Sequence, residues 1–317
     1  MFRFLLSRLV HTLFVLVAVS MIVFTVTELL PGNVATMILG TDATPEETKL
    51  LTEQLGLNKP PTGRYFKWAV AAAQGDFGNS LRMQRPITPV LLERLGNSLI
   101  LAGVAFVMVA VGSILFGLVT AWNEGSRLDR VLTVVGVIGT SLPEFVSGTV
   151  LVLLVGGGIV SLFPSSGYDG LSAGFGNAIH HLFLPALTLA VVLIAYVGRV
   201  TRTATIDVLG SDYVRAARLK GLPESTVLFR HVLPNALVPT MTVLFMNVGW
   251  LVGGIVVAEA VFVFPGIGRL MLFAITERDW PLIQACALVT SSIYVFSNFI
   301  GDLAVMALSP RIRHASR

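Results

Sequence analysis

The residues best suited to chemistry in this sequence are polar side chains placed inside long apolar segments. They include the carboxylates Glu144 and Glu259 and the amide Asn247. A charged side chain inside a membrane span costs roughly 2.5–3.5 kcal/mol on insertion scales, so such residues mark either a transport path or a packing partner. Glu144, Asn247 and Glu259 are therefore candidates for lining a translocation path, with helix packing and ion pairing as the alternative.

Asp302 is a third carboxylate of this kind, and Asn298 accompanies it in the last apolar segment. Asp302 could line a path, or it could pair with Arg199 or Arg202. No pair of these groups has the spacing of a metal site or of a general acid and base, so the sequence predicts no cofactor, no metal and no catalytic residue.

A second chemically distinct stretch covers residues 213–234, the long polar interruption in the apolar second half of the chain. The stretch contains four basic residues, Arg215, Arg218, Lys220 and Arg230, and Arg202 precedes them on the same polar side. The pattern predicts a helix over about 213–220, capped by Ser211 or Asp212 and ended by Gly221 in the left-handed conformation. Pro223 suits the first turn of a second helix, which we expect to end at Leu233 and Pro234.

The small residues Ala216 and Ala217 in this stretch permit close approach of another backbone. Tyr213, Val214 and Leu219 could anchor the helix around them, as in proteins that lay a helix into a groove of a partner. The alternative is a connector that lies on the membrane surface with its basic residues near anionic headgroups. Spacing alone leaves both interpretations open.

The elements that position these residues are membrane spans. The chain has 317 residues, of which 54% are hydrophobic and 13% charged, and its mean hydropathy is +0.81. A soluble domain has about a quarter of its residues charged, so this composition indicates an integral membrane protein. The net charge of +4 comes with no basic patch of interleaved aromatic residues, and the single Cys286 excludes disulfides within the chain.

Hydrophobic runs predict spans over residues 9–30, 99–122, 131–163, 182–200, 236–262 and 282–308. The first could instead be a cleaved signal peptide, but it is long enough to span and lacks a small-residue cleavage site. The third is too long for one straight crossing, so Pro143 and the glycines at 156–158 should interrupt it. Arginine and lysine after the second and fourth spans and at the end of the chain place both termini in the cytoplasm.

Two segments outside these spans carry recognisable local signals. Thr44, Pro45 and Glu47 form a capping box at the start of a helix expected to reach Gly56. Tyr65, Phe66 and Trp68 then open a helix that should lie at the membrane interface. The amphipathic piece at 270–275 is either a re-entrant half-helix or an ordinary interfacial loop.

The order Arg215-Ala216-Ala217, Gly221 and His231-Val232-Leu233-Pro234 resembles the cytoplasmic loop of ABC-importer permeases, whose pattern is Glu-Ala-Ala, Gly, and Ile-x-Leu-Pro. In that family this loop is a coupling helix that docks on the ATP-hydrolysing subunit. Arg215 and His231 depart from the general pattern and resemble the dipeptide and oligopeptide branch. By this resemblance Tyr213, Arg215, Ala216, Ala217, Gly221, Leu233 and Pro234 are the expected ATPase-coupling residues.

Other segments resemble the same branch along nearly the whole chain. They include Gly75-Asp76-Phe77-Gly78, Ser141-Leu142-Pro143-Glu144 and Ala258-Glu259-Ala260. The resemblance implies an all-α fold with six transmembrane helices, that of a type I importer permease. It implies as partners a second, similar permease subunit, two ABC ATPase subunits, an external solute-binding protein, membrane lipid and a peptide substrate, with no nucleic acid.

We therefore divide the chain into an N-terminal transmembrane helix at 1–30, an external helical insertion at 31–96, a five-helix core at 97–308 with its coupling segment at 210–234, and a cytoplasmic tail at 309–317. The expected function is inward transport of di- or oligopeptides across the bacterial inner membrane by a non-catalytic subunit. The sequence contains no phosphate-binding loop, so partner subunits must hydrolyse ATP. Alternatives are the same machine for nickel or glutathione, an ion-driven carrier with Glu144, Glu259 and Asp302 as proton relay, and, more distantly, a membrane hydrolase.

Overall fold

The computed structural model describes residues 2–29, 44–54, 58, 60–168, 170 and 174–308, and in these ranges the regular structure is helical. In chain order the helices are α1 (Phe2–Leu29), α2 (Pro45–Gln54), α3 (Pro61–Ala73), α4 (Ile87–Trp122), α5 (Arg127–Ser141), α6 (Glu144–Val155), α7 (Phe175–Leu209), α8 (Asp212–Leu219), α9 (Glu224–Thr226), a π-helix (Val227–Val232), α10 (Leu233–Met246), α11 (Val248–Val261), α12 (Ile267–Thr276) and α13 (Trp280–Leu308). The expected tail at 309–317 lies outside the described residues.

Five helical stretches in the described part of the chain are long and apolar enough to cross a membrane, or six if a bent pair counts as one span. The five are Leu6–Glu28, Ile87–Trp122, Phe175–Leu209, Glu224–Met246 and Trp280–Ala307. The bent pair is α5 and α6, which meet at an angle of 114°. The predicted interruption of the third span is therefore confirmed, and it falls at Leu142 and Pro143 because proline has no N–H to continue the helical bonds.

The helix α2 begins as its sequence signal predicts, whereas α3 begins at Pro61, four residues before the predicted start at Tyr65. The Thr44 N–H donates to the Glu47 carboxylate at 2.9 Å, and the Glu47 N–H donates to Thr44 Oγ1 at 3.3 Å, which confirms the capping box. The Thr44 backbone N–H, followed by the Thr44 hydroxyl, which also donates to the carboxylate, lowers the pKa of the exposed Glu47 carboxyl. The expected continuation of α2 to Gly56 falls on residues outside the described ranges.

The core of the molecule is the long packing of α4 against α7. Buried side chains of both helices share one cluster, which includes Leu101, Ala105, Leu189 and Leu193. The helices approach closely because glycines face the partner: a Cβ on Gly117 would come within 2.8 Å of the Gly198 carbonyl oxygen. Small residues that let backbones meet are a common basis of helix association in membranes, where apolar side chains gain little from leaving lipid.

The prediction of one continuous fifth span over 236–262 is wrong. The chain breaks at Asn247, whose backbone leaves the helical conformation (φ −98°, ψ 6°), and α10 and α11 lie on either side. The Asn247 side chain donates to the Val243 carbonyl oxygen at 2.7 Å, so the amide replaces a backbone donor at the break. The helical stretch that contains α10 instead begins earlier, at Glu224, because the π-helix joins α9 to α10 without interruption.

Two further expectations are resolved by packing. The piece around 270–275 is the helix α12, with Ile267, Leu270 and Ala274 buried against α4 and α13, so it is not an interfacial loop. Asp302 pairs with neither Arg199 nor Arg202: its carboxylate lies 3.1 Å from Arg8 of α1. In sequence, the arginines of α7 and Asp302 of α13 lie at similar positions along their predicted spans, which suggests a pair between them. The fold instead shows that α1, with Arg8, lies beside α13.

Glycine at the contact between α4 and α7 gives a test of this fold. We expect Gly117→Ala to destabilise the protein by about 1–3 kcal/mol, because the added methyl group meets Thr201 and the Gly198 carbonyl in a packed interface. Gly103→Ala on the same helix should have little effect, because no atom lies within 4 Å of its Cβ position. Thermal unfolding of both variants in detergent measures the difference, and equal unfolding temperatures would contradict this close contact of the two helices.

Candidate functional site: the helical elbow and the polar residues of the spans

The elbow that we define as residues 210–232 connects α7 directly to α10. It consists of α8, a turn at Gly221, α9 and the π-helix. The observed α8 agrees with the predicted helix at 213–220 to within one residue. The predicted end of the second helix at Leu233 and Pro234 is wrong, because the helix continues there into α10. The π-helical hydrogen bond from the Leu233 N–H to the Leu228 carbonyl, five residues back, carries the chain past Pro234, which lacks an N–H.

The elbow has its own small hydrophobic core. Val214, Ala217, Val227 and Val232 are buried together, and Val208 and Leu209 at the end of α7 pack against them. This places Val214 and Ala217 inside the chain, so their expected role as contacts for a partner's groove does not fit the geometry. Their small size serves instead to bring α8 close to the π-helix and to the end of α7.

The turn between α8 and α9 is specified by Gly221. Its φ of +75° lies in the left-handed region, as the sequence pattern predicts. The Leu222 N–H donates to the Ala217 carbonyl at 3.4 Å, and the Gly221 N–H donates to the Arg218 carbonyl at 2.9 Å, so the last carbonyls of α8 are satisfied. At the other end the expected side-chain cap is absent: the Ser211 hydroxyl donates back to the Val208 carbonyl at 2.5 Å.

An ion pair joins the two arms of the elbow. The Arg218 guanidinium contacts the Glu224 carboxylate through two parallel bonds, Nε to Oε1 at 2.9 Å and the second nitrogen to Oε2 at 3.1 Å. Both side chains are about half exposed, so the pair contributes little stability. Its two-point geometry adds directional specificity to the arrangement of α8 and α9 that the buried core sets.

The opposite side of α8 is open to solvent. Arg215 and Ala216 are exposed, Leu219 is 83% exposed and Tyr213 46% exposed. We call Tyr213, Arg215, Ala216 and Leu219 the outer face of α8. A large aliphatic side chain, an aromatic ring and a cation surround the small Ala216, and the elbow holds them on a helix whose inner side is packed. Leu233 is half-buried and Pro234 is exposed, and both lie at the start of α10, beyond α9 and the π-helix.

Glu259 is fully buried and its carboxylate holds the start of α12. Oε2 accepts the backbone N–H groups of Gly268 at 2.7 Å and Arg269 at 3.1 Å, and Oε1 accepts the Ser98 hydroxyl. The Ser98 oxygen in turn accepts the Ile267 N–H at 2.8 Å. Three of the first N–H groups of α12 are thus satisfied by α4 and α11, which is the packing role left open by the sequence.

The other candidate path residues have different surroundings. Glu144 is half-buried at the start of α6, and a Cβ on Gly254 of α11 would come within 2.7 Å of its carboxylate. Asn247 is half-buried at the break between α10 and α11. No hydrogen bond among those described joins Glu144, Asn247 and Glu259, and each lies at a break or near an end of a helix.

A polar stripe on α7 is a feature that the sequence reasoning does not predict. Tyr196, Arg199, Thr203 and Asp207 are exposed along one side of the helix. They line a groove of about 680 Å³ that α7 forms with Asn235 and Pro239 of α10. The signal is present in the sequence as a spacing of three and four residues, but charges near the end of a predicted span explain the same residues without a polar face.

Taken together, the features describe a polytopic helical membrane protein of the transport class, with a packed helical elbow exposed between two spans. The model of the binding-protein-dependent transport system inner membrane component family matches residues 113–314, and the model of its N-terminal region matches residues 1–102. The chain belongs to this family.

Curated relatives match over the full length. A probable peptide ABC transporter permease protein, y4tP, from Sinorhizobium fredii is 37% identical over 98% of this chain and 99% of its own length. The oligopeptide transport system permease protein AppB from Bacillus subtilis is 33% identical over 99% of this chain and 100% of its own. The glutathione transport system permease protein GsiC from Escherichia coli is 33% identical over the same shares.

The contacts of Glu259 predict a structural consequence. We expect Glu259→Ala to destabilise the protein strongly, since each buried N–H left without a partner costs about 1–3 kcal/mol. Glu259→Gln should be milder and should keep uptake activity, because the amide oxygen still accepts from α12. Denaturation in detergent and uptake in cells check this, with the exposed Glu93→Ala as control. Loss of uptake by a stable Glu259→Gln protein would contradict a purely structural role for this carboxylate.

Proposed function

We propose that this chain is the permease subunit of an ATP-driven importer for di- or oligopeptides in the bacterial inner membrane. Family membership establishes a transport component of the inner membrane. The peptide cargo rests on relatives described as peptide and oligopeptide permeases, which are 37% and 33% identical to this chain. The glutathione permease is 33% identical, and glutathione is itself a small peptide, so it falls within the same proposed substrate class.

The observation that carries the proposal is the outer face of α8. It offers Tyr213, Arg215 and Leu219 around the small Ala216 on a helix whose inner side is fixed by its own core. A groove on an ATPase subunit could receive this face with close backbone contact at Ala216. A connector that merely lay on lipid would need no inner core and no two-point ion pair to hold its arms.

We propose that the elbow transmits closure of the ATPase subunits to the spans. It joins α7 and α10 directly, and these two helices form the groove lined by Tyr196, Arg199 and Asp207. Movement of α8 would therefore change the separation of α7 and α10. Glu144 and Asn247, at breaks in the neighbouring helices, remain proposed contacts of the path, whereas Glu259 is better explained by its support of α12.

The complex that we propose contains a second permease subunit, two ATPase subunits and an external solute-binding protein, and this chain itself carries no ATPase activity. Both termini would lie in the cytoplasm, with residues 31–96 on the external side. This orientation puts the elbow, which carries Arg215, Arg218 and Lys220, on the cytoplasmic side, in agreement with the distribution of basic residues in short loops.

Purification of the chain from native membranes in mild detergent tests this proposal. We expect a second permease and ATPases with phosphate-binding loops to co-purify, together with vanadate-sensitive ATPase activity. Dipeptide uptake should depend on ATP. Two results together would instead support an ion-driven carrier: the chain purifies without ATPases, and uptake stops when the proton gradient is dissipated.

Substitutions at two adjacent alanines distinguish an effect on docking from an effect on folding. Ala216→Trp should leave the stability of the protein within about 0.5 kcal/mol, because the residue is exposed, but should abolish uptake and ATPase co-purification by filling the outer face. Ala217→Trp should instead lower stability by about 1–3 kcal/mol, because it overfills the core of the elbow. Unfolding, uptake and co-purification are measured together, and normal uptake by Ala216→Trp would rule out docking through this face.

A further inference from the structure

A cleft with both signs of charge lies where α1, α3 and α13 meet. Its volume is about 390 Å³, and α1 contributes the last turns before Leu29 while α13 contributes its first turn. Both helices belong to candidate membrane spans, Leu6–Glu28 and Trp280–Ala307. The cleft is therefore at the level where the hydrophobic part of each span ends, which is the boundary between hydrocarbon and water.

The walls of the cleft are held together by hydrogen bonds. Gln284 of α13 donates to Thr27 Oγ1 of α1 at 2.6 Å, and the hydroxyls of Ser20 in α1 and Tyr65 in α3 lie 2.8 Å apart. Arg64 of α3 forms an ion pair with Glu28 of α1. These contacts tie the three helices to one another, so the cleft lies between elements that are bonded together rather than between loose ones.

Aromatic rings form much of its lining. Phe24 of α1 contacts Trp68 of α3 with ring centroids 5.8 Å apart, and Phe77 and Trp280 complete the apolar walls. Tryptophan is enriched where membrane proteins meet the headgroup region because its ring is apolar and its N–H is polar. Phe66 and Val70 of α3 are 66% and 56% exposed, so the same helix also presents apolar surface outside the cleft.

Two charged side chains of the lining are left for a ligand. Arg64 and Glu28 neutralise each other, but in the ranges that the structure describes no ion pair involves Lys67 or Asp76. The Asp76 carboxylate accepts the Gly78 N–H at 2.9 Å through one oxygen, which orients the group, and its second oxygen retains acceptor capacity. An ammonium and a carboxylate between aromatic walls match a zwitterion with an anionic group and a cationic group.

We propose that this cleft binds the headgroup of a zwitterionic aminophospholipid of the phosphatidylethanolamine type. Lys67 contacts the phosphate, Asp76 accepts the primary ammonium, and the aromatic walls hold the glycerol region while the acyl chains follow the exposed apolar surface of the spans. The position at the ends of two spans favours a lipid over a dissolved zwitterion. The site joins α1 and α3 to α13 and does not depend on the transport function proposed above.

The test uses the full-length chain, with the partners that accompany it, in nanodiscs of equimolar phosphatidylethanolamine and phosphatidylglycerol. Native mass spectrometry counts the lipids retained after a detergent wash. We expect Lys67→Gln to reduce retention of both lipids about fivefold, because both have a phosphate. Asp76→Asn should reduce only phosphatidylethanolamine, because only that lipid has an ammonium group, and the asparagine oxygen still accepts the Gly78 N–H.

Matched controls and a second readout keep the proposal open to refutation. Lys49→Gln and Glu53→Gln on α2 remove the same charges outside the cleft and should leave retention unchanged. In the unaltered protein, phosphatidylethanolamine with a photoreactive headgroup should crosslink within residues 64–81. Equal retention by all variants, crosslinks confined to other segments, or displacement of the lipid by glycylglycine would each overturn the lipid assignment, the last by showing that the cleft holds a dissolved zwitterion.

Discussion

The whole architecture depends on one constraint: backbone polar groups within a bilayer must find their partners inside the protein. An unbroken helix meets this constraint by itself, but this chain breaks its helices at Pro143 and Asn247 and inserts the short α12. At Asn247 and at the start of α12 the structure supplies a local substitute. Asn247 bonds to the Val243 carbonyl, and Glu259 with Ser98 satisfies three N–H groups of α12. The polar residues of the spans are largely explained by these breaks.

This explains why a buried carboxylate is a poor indicator of a transport path on its own. Glu259 and Glu144 look alike in sequence, each in an apolar stretch beside a feature that disturbs a helix. In the structure Glu259 is enclosed and has several donors, whereas Glu144 is half-buried against Gly254. A group whose acceptor capacity is taken up by backbone N–H groups has little left for a moving substrate. The open groove with Tyr196, Arg199 and Asp207 is better suited to transient contacts, because its charges face outward along α7.

The sequence was sufficient for features that depend on neighbouring residues. Pro143 interrupts its helix, Thr44 and Glu47 cap α2, and Gly221 adopts the left-handed conformation, each because local sterics or hydrogen bonds decide the outcome. It was insufficient where distant segments compete. Only tertiary packing shows that Val214 and Ala217 face the π-helix, and that Asp302 meets Arg8 rather than an arginine of α7. The sequence pattern does not predict the break at Asn247, because the neighbours of this residue form an uninterrupted apolar run.

The way in which the elbow is connected to α7 and α10 bears on its proposed coupling role. A helix on a flexible tether would absorb a push from a partner by bending at its ends. Here the connection from α7 to α8 is only Gly210 and Ser211, and Val208 and Leu209 pack against the core of the elbow. On the other side the π-helix passes directly into α10. In the proposed coupling role, displacement of α8 would move α7, α10 or both. Because these two helices flank one groove, a force applied at Ala216 would reach that groove mainly through packed side chains.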